Sequence, residues 1–133
     1  MSEFSLTVIG HWGAYPNCGE ATSCYLLQAE ETSVLLDCGS GALSVLQEHM
    51  SLADIDAVIL SHYHADHMAD LGCLQYAALI DMDLHRRQNP LMVYGHGEYA
   101  CTERLSYEKC VLGMTYDRNS LLEIGPFRFS FVP

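Results

Sequence analysis

A short apolar segment that runs directly into a histidine cluster is the feature that most constrains the fold of this chain. Residues 57–60 (AVIL) are all apolar, which is typical of a central strand covered on both faces. The stretch SHYHADHMAD follows at positions 61–70 and holds three of the seven histidines. Because open α/β sheets bind ligands beyond the carboxyl ends of their strands, we expect this cluster to lie at a ligand-binding edge.

The spacing within the cluster is suited to metal binding. In extended backbone, residues two apart point to the same face, so His62 and His64 can converge on one cation. Imidazole is a good zinc ligand. Asp66 and His67 follow where the chain turns into a helix, which permits a second metal ion nearby. Accidental clustering is the alternative, but three histidines and an aspartate within six residues rarely arise for packing reasons, so we predict a metal site.

Strand and helix patterns alternate along the rest of the chain. The predicted strands are 4–9, 23–28, 33–37, 57–60 and 91–94, with two more strand-like stretches near Leu121 and Phe127. The predicted helices are 42–50, 71–79 and 98–109. Strands interleaved with helices predict an α/β fold, and 133 residues suffice for one modest domain.

The charge and composition of the chain limit the classes of binding partner and the location that we expect. Six Lys and Arg stand against 17 Asp and Glu, a net charge of −11, which disfavours a long nucleic acid without excluding RNA. A small anionic ester could still reach a locally cationic metal centre. No apolar run approaches the ~18 residues that span a bilayer, and the N-terminus does not resemble a signal peptide. The six cysteines form no CxxC pair, so we expect reduced thiols and a cytoplasmic protein.

The cluster His62-x-His64-x-Asp66-His67 after an apolar strand resembles the HxHxDH signature of the metallo-β-lactamase superfamily. LLDCGSG at 35–41 and VIGHWGAYP at 8–16 are similar to the branch that contains ribonuclease Z and related phosphodiesterases. The resemblance implies an αββα sandwich with two zinc ions, or Mn²⁺ or Fe²⁺, at the sheet edge. Residues 1–133 resemble the N-terminal half of that single domain, so the fold class expected is α/β, half of the sandwich.

The resemblance also implies roles for individual residues. His62 and His64 would hold the first zinc, and Asp66 and His67 the second. Asp66 could in addition accept a proton during catalysis. Asp37, which follows an apolar strand, would orient the ligands; the alternative is that it caps the Gly-rich turn after it.

Two loops could reach the site. His96 in YGHGEY follows a strand and could line the substrate mouth, although such a histidine is more often a solvated loop residue. His11 and Trp12 lie in the glycine-containing loop after the first strand and could likewise approach the site. Trp12 is equally suited to the core.

For the complete fold, the implied function is zinc-dependent hydrolysis of a phosphodiester, in a ribonuclease Z-like enzyme or a small nucleotide phosphodiesterase, by a hydroxide that the metal makes available. Lactone, thioester and β-lactam substrates are alternatives because the same chemistry serves them. The other alternative is an incomplete metal-binding fragment. Family members take further ligands from their C-terminal half, so a homodimer or a complementary C-terminal half is the expected partner.

Overall fold

A six-stranded mixed sheet organises the structure, a computed structural model that describes residues 3–97 and 102–132. Its strands are β1 (Ser5–Gly10), β2 (Cys24–Ala29), β3 (Thr32–Leu36), β4 (Ala57–Ile59), β5 (Leu91–His96) and β6 (Val111–Tyr116). Their order across the sheet is their order along the chain. The first three strands pair antiparallel, and the pairs from β3 to β6 are parallel.

Helices cover one face of this sheet. They are α1 (Ala42–Leu46), α2 (Ala65–Met68) and α3 (Leu71–Asp83), with short 3₁₀ helices at Leu52–Asp54 and Thr102–Arg104. Leu46 of α1 and Leu74 of α3 share the main core with Leu35 of β3 and Val58 of β4, all of them buried. Strand side chains alternate between faces, so Ala57 and Ile59 belong to a second cluster on the opposite face. Since β4 is buried on both sides, it is the central strand that its apolar sequence predicts.

A hairpin of β7 (Leu121–Ile124) and β8 (Phe127–Ser130) packs on that opposite face. Its partly buried side chains Leu122, Phe127 and Phe129 contact the second cluster. Helices, sheet and hairpin thus form successive layers, and the predicted α/β fold is confirmed. No helix in residues 3–97 or 102–132 is long and apolar enough to cross a membrane.

The region before β6 differs from its prediction. A helix was expected over 98–109; residues 98–101 lie outside the described residues, and only Thr102–Arg104 is helical, as a single 3₁₀ turn. A Cβ on Gly113 would lie 2.4 Å from Leu105 Cβ and 2.8 Å from its carbonyl carbon, so this segment lies directly against β6. Leu105 is buried there, and Glu108 has a φ of 51°, which is incompatible with a continuing helix. The prediction also missed β6 and made α1 too long, since it ends at Leu46.

Candidate metal centre

The histidine cluster begins where β4 ends. Leu60 N donates to Tyr94 O of β5 at 2.8 Å, and the chain then bends at Ser61 and reaches His64, an extended residue with φ −68° and ψ 148° that precedes α2. The His62 and His64 rings lie edge to face with centroids 4.7 Å apart, and the His67 ring lies 4.0 Å from that of His62. The structure therefore brings the three predicted histidines together.

Asp66 reaches the same point from the first turn of α2. Its Oδ2 lies 3.5 Å from His67 Nε2 and accepts a hydrogen bond from Ala14 N at 3.1 Å. That backbone bond, reinforced by the neighbouring His67 and His62, lowers the pKa of Asp66 below its usual value although desolvation opposes the shift. The loop after β1 thus helps to keep this carboxylate ionised.

Asp37, the residue after β3, is buried and lies at the centre of the site's hydrogen-bond network. Its Oδ1 accepts from Ser61 N at 2.7 Å, and its Oδ2 accepts from Ser23 Oγ at 3.0 Å. Ser61 Oγ lies within 3.0 Å of both carboxylate oxygens, and His67 Nδ1 lies 2.6 Å from Oδ2. Because a carboxylate accepts, Nδ1 carries the proton, which leaves the lone pair of His67 on Nε2, on the side of Asp66.

The environment of His62 keeps its ring neutral. Desolvation lowers the pKa of His62 below 6.5, and the adjacent His67 and His64 lower it further, outweighing Asp37 and Asp66. Ser61 Oγ lies 2.9 Å from His62 Nδ1. A neutral imidazole is the form that binds a metal ion.

Close packing of the loop after β3 against α2 sets these positions. Cys38 N donates to His67 O at 2.7 Å, and Asp70 N donates to Cys38 O at 3.1 Å. A Cβ on Gly39 would lie 2.1 Å from Thr22 Oγ1 and 2.5 Å from Asp66 O, so only glycine fits between them. The two site-bearing loops are in direct contact.

A cleft of about 830 Å³ opens beside the cluster, under the β7–β8 hairpin. Asp37, Ser61, His96, Tyr116 and Arg118 are among its lining residues. His96 lies at the end of β5, and its ring is 5.6 Å from that of Tyr116. His96 is thus on the cleft wall rather than in a solvated loop.

Some contributors to the site had little or no sequence signal. Ser61 adjoins the motif and could have been inferred from that position, whereas Ser23 and Ala14 meet the site only through the folded sheet. Trp12 is 37% exposed, stacks on His11 and donates its indole N–H to Glu20 Oε2, so it is not a core residue.

The donors fit a divalent metal ion by their chemistry, since imidazole nitrogens and an ionised carboxylate converge with one histidine already held by a buried carboxylate. In the described residues, no group of three or more His, Cys, Asp or Glu side chains is arranged so that it could hold a metal ion. The close approaches are instead pairwise: the His62 ring lies 4.0 Å from that of His67 and 4.7 Å from that of His64, and Asp66 Oδ2 lies 3.5 Å from His67 Nε2.

Known proteins are similar to this chain in sequence and in structure. The family model described as the metallo-beta-lactamase superfamily matches residues 19–80. The probable metallo-hydrolase YhfI of Bacillus subtilis is 41% identical over 128 residues, which make up 96% of this chain and 52% of that protein. A ribonuclease Z of Methanopyrus kandleri is 35% identical over 94 residues, 70% of this chain and 32% of that protein.

The crystal structure of the metallo-beta-lactamase fold protein YhfI from Bacillus subtilis is similar over 97% of this chain and 53% of that one, with a TM-score of 0.93 and 40% identity. The chain therefore spans about half the length of YhfI and about a third of that ribonuclease Z. Residues 19–80 belong to the metallo-β-lactamase superfamily, and the chain that contains them has the fold of that superfamily.

Proposed function

We propose that this chain forms the ligand-bearing half of a zinc-dependent hydrolase that cleaves phosphodiesters. The observation that carries the proposal is the 2.6 Å bond between the buried Asp37 carboxylate and His67 Nδ1. Histidines that bind metals usually donate their other ring nitrogen to such a carboxylate, which fixes the ring and raises its basicity. A histidine held in this way, beside two more imidazoles, is poorly explained by packing alone.

In this proposal His62 and His64 hold one zinc ion, and Asp66 and His67 hold a second. Mn²⁺ or Fe²⁺ could replace zinc, because imidazole and carboxylate serve all three metals. A divalent metal bound here supplies a Lewis acid that polarises the ester and lowers the pKa of a water molecule.

The chain's own residues then have distinct tasks. Asp37 keeps the Nδ1 proton of His67 in place, so the ring offers its Nε2 lone pair to the site. The lowered pKa of Asp66 supports its role as an ionised ligand more than its role as proton acceptor, since a general base works best with a pKa near the working pH. His96, on the wall of the cleft, is positioned to contact substrate.

A small anionic ester or nucleotide is the substrate class that we propose. A relative named ribonuclease Z supports a phosphodiester, and RNA itself is the second candidate for the same reason. The net charge of −11 favours the smaller substrate, because a long RNA would meet an acidic surface. The five described cysteines are free thiols, which accords with a reducing cytoplasmic location.

We further propose that residues 1–133 are half of one metallo-β-lactamase domain and that the other ligands come from a complementary C-terminal half or a second copy. Catalytic zinc sites usually have three protein ligands, and no group of three or more donors among the described residues is arranged to hold a metal ion. The alternative is a metal-binding fragment without its own activity.

Metal content of the chain purified without chelators tests the proposal, with His64→Ala as the site variant and the exposed His49→Ala as its matched control. We expect zinc in the wild-type chain and in the control, and a loss of most of it in His64→Ala. Equal zinc content in both variants would refute the site.

Activity assays separate the substrate classes and the non-enzymatic alternative. The zinc-loaded chain would be tested on bis(p-nitrophenyl) phosphate, a short RNA, a lactone, a thioester and a β-lactam. We expect turnover of the small phosphodiester that is lost in His64→Ala. Zinc binding without turnover of any substrate would favour the incomplete fragment.

A further inference from the structure

Tyr63 lies between His62 and His64 in the sequence, and its side chain extends toward β5 and the core. The partly buried Tyr63 ring packs against the main core. Its hydroxyl donates to His96 O at the end of β5, at 2.9 Å.

Strand β5 has a glycine, Gly95, at the point where that hydroxyl lies. A Cβ on Gly95 would lie 2.3 Å from Tyr63 Oη, a separation that real structures do not tolerate. The nearest other atoms to such a Cβ are the Leu105 methyl carbons, at 3.0 Å, which belong to a flexible side chain. The absence of a side chain at Gly95 therefore creates the space that the Tyr63 hydroxyl occupies.

A second tyrosine holds the other end of the same segment. Tyr116 of β6 is buried, and its hydroxyl donates to Leu60 O at 2.5 Å. Its neighbour across the sheet is His96, whose carbonyl receives the Tyr63 hydroxyl. The segment from Leu60 to Tyr63 is thus hydrogen-bonded at one end to Tyr116 of β6 and at the other end to His96 of β5.

We propose that Tyr63 is a positioning residue of the metal site, which fixes the edge-to-face arrangement of the His62 and His64 rings through its anchor on Gly95 and His96. His67 is fixed separately by Asp37, so loss of the Tyr63 anchor disturbs the His62–His64 pair more than His67. The role of this anchor in metal binding rests on the proposed function, whereas its effect on the arrangement of the two histidine rings does not require a metal ion.

The first test is made on the metal-free chain by NMR with labelled histidines. Tyr63→Phe keeps the ring and removes only the hydroxyl. Tyr76→Phe is the matched control, because it also removes a hydrogen-bonding hydroxyl, on the exposed side of α3. We expect the NOE between the His62 and His64 rings to fall at least about twofold in Tyr63→Phe, as a single anchoring hydrogen bond is lost. The control should keep the wild-type NOE.

Gly95→Ala provides a second, independent perturbation of the same anchor. Alone it should displace the Tyr63 hydroxyl and reduce the His62–His64 NOE. In combination with Tyr63→Phe it should reduce the His62–His64 NOE little further, because the hydroxyl that would clash with the added methyl group is absent. Such non-additive effects indicate that the two residues are directly coupled. Zinc affinity, measured by chelator competition, should fall about three- to tenfold in either single variant.

The outcomes separate the two proposals. A wild-type NOE in folded Tyr63→Phe, or strictly additive effects of the two substitutions, would overturn the positioning role. If the NOE falls as expected but the wild-type chain binds no zinc, the positioning role stands and the proposed metal function fails.

Discussion

Among single residues, Asp37 has the largest share in shaping the site. It adopts a φ of 62°, a left-handed conformation that Asp and Asn tolerate better than most side chains. This backbone turn places a buried carboxylate where it meets one backbone N–H, two serine hydroxyls and one imidazole. The residue type is therefore required by both the backbone and the polar network.

Replacement of Asp37 by Asn should separate these two requirements. Asn keeps the left-handed backbone but puts an amide NH₂ in place of one carboxylate oxygen, so it cannot accept all of the present bonds. We expect the free energy of unfolding to fall by roughly 1–3 kcal/mol and zinc affinity to fall by about 10–100-fold. Urea denaturation and chelator competition measure the two effects.

Asp117→Asn is the matched control, since Asp117 lines the same cleft but accepts from Asn119 N and Ser120 Oγ within its own exposed turn and is not one of the proposed ligands. It should change neither quantity appreciably. A wild-type zinc affinity in Asp37→Asn would contradict the orienting role of Asp37.

The pH dependence of metal binding follows from His62 and Asp66. Folding lowers the pKa of both groups, so below pH 6.5 the unfolded chain protonates His62 before the folded chain does. Stability of the metal-free protein should therefore fall as the pH drops below 6.5. Zinc should stay bound to a pH somewhat below 6.5 and then be released by protons. A zinc titration monitored from about pH 8 to about pH 4 would contradict this if the affinity stayed constant.

Among the elements, the loop after β3 and the short helix α2 form one unit. Gly39 lies between Thr22 and Asp66 with no room for a side chain, and Cys38 N donates to His67 O. The spacing of the ligand motif depends on this contact, because α2 has only four residues and little stability of its own.

Gly39→Ala should destabilise the protein by at least about 1–3 kcal/mol, because the added methyl group must push apart two backbone segments. Gly72→Ala is the matched control: it lies in α3, and a Cβ there would meet nothing within 4 Å. That control should stabilise the protein by about 0.5–1 kcal/mol through helix propensity. Urea denaturation compares the two, and equal free energies of unfolding would show that the close contact at Gly39 is unimportant.

The elements also show how far the sequence predicts this fold. Strand β4 and the cluster after it were predictable because both signals are local, a short apolar run and a compact polar motif. Strand β6 was missed because the need for glycine at position 113 is visible only in the folded structure, where Leu105 packs directly against it. The same packing, which buries Leu105, replaces the helix expected over 98–109 in its described part. The bond from Ala14 N to Asp66 joins residues 52 apart, which depends on strand pairing and not on any local pattern.

In the whole molecule, the two faces of the sheet are covered unequally. The helical face has a continuous core, whereas the hairpin covers only the middle of the other face. Apolar side chains on its two edge strands stay about half exposed: Leu6 and Val8 on β1, and Leu112 and Met114 on β6. Such a surface favours contact with another polypeptide.

We therefore expect the purified chain to associate, with a weight-average mass above 14.8 kDa that rises with concentration. The double substitution Leu112→Glu with Met114→Glu should reduce that mass, because it places charges on the exposed apolar edge. Ile80→Glu in α3 with Leu84→Glu directly after it is the control of similar exposure on the helical side. Light scattering after size-exclusion chromatography measures all three, and an unchanged mass in the β6 variant would contradict the role of this face.

The strand order of the sheet has a consequence for the way the protein forms. Each strand pairs with the one made just before it, so a nascent chain can extend the sheet from one edge as it leaves the ribosome. Ser23, Asp37, Ser61 and His67 all precede β5 and β6 in the chain, so their network can close while the later strands are still being synthesised. The loop that holds His62, His64 and His67 would then form first, and its hydrogen bonds to His96 of β5 and Tyr116 of β6 would follow.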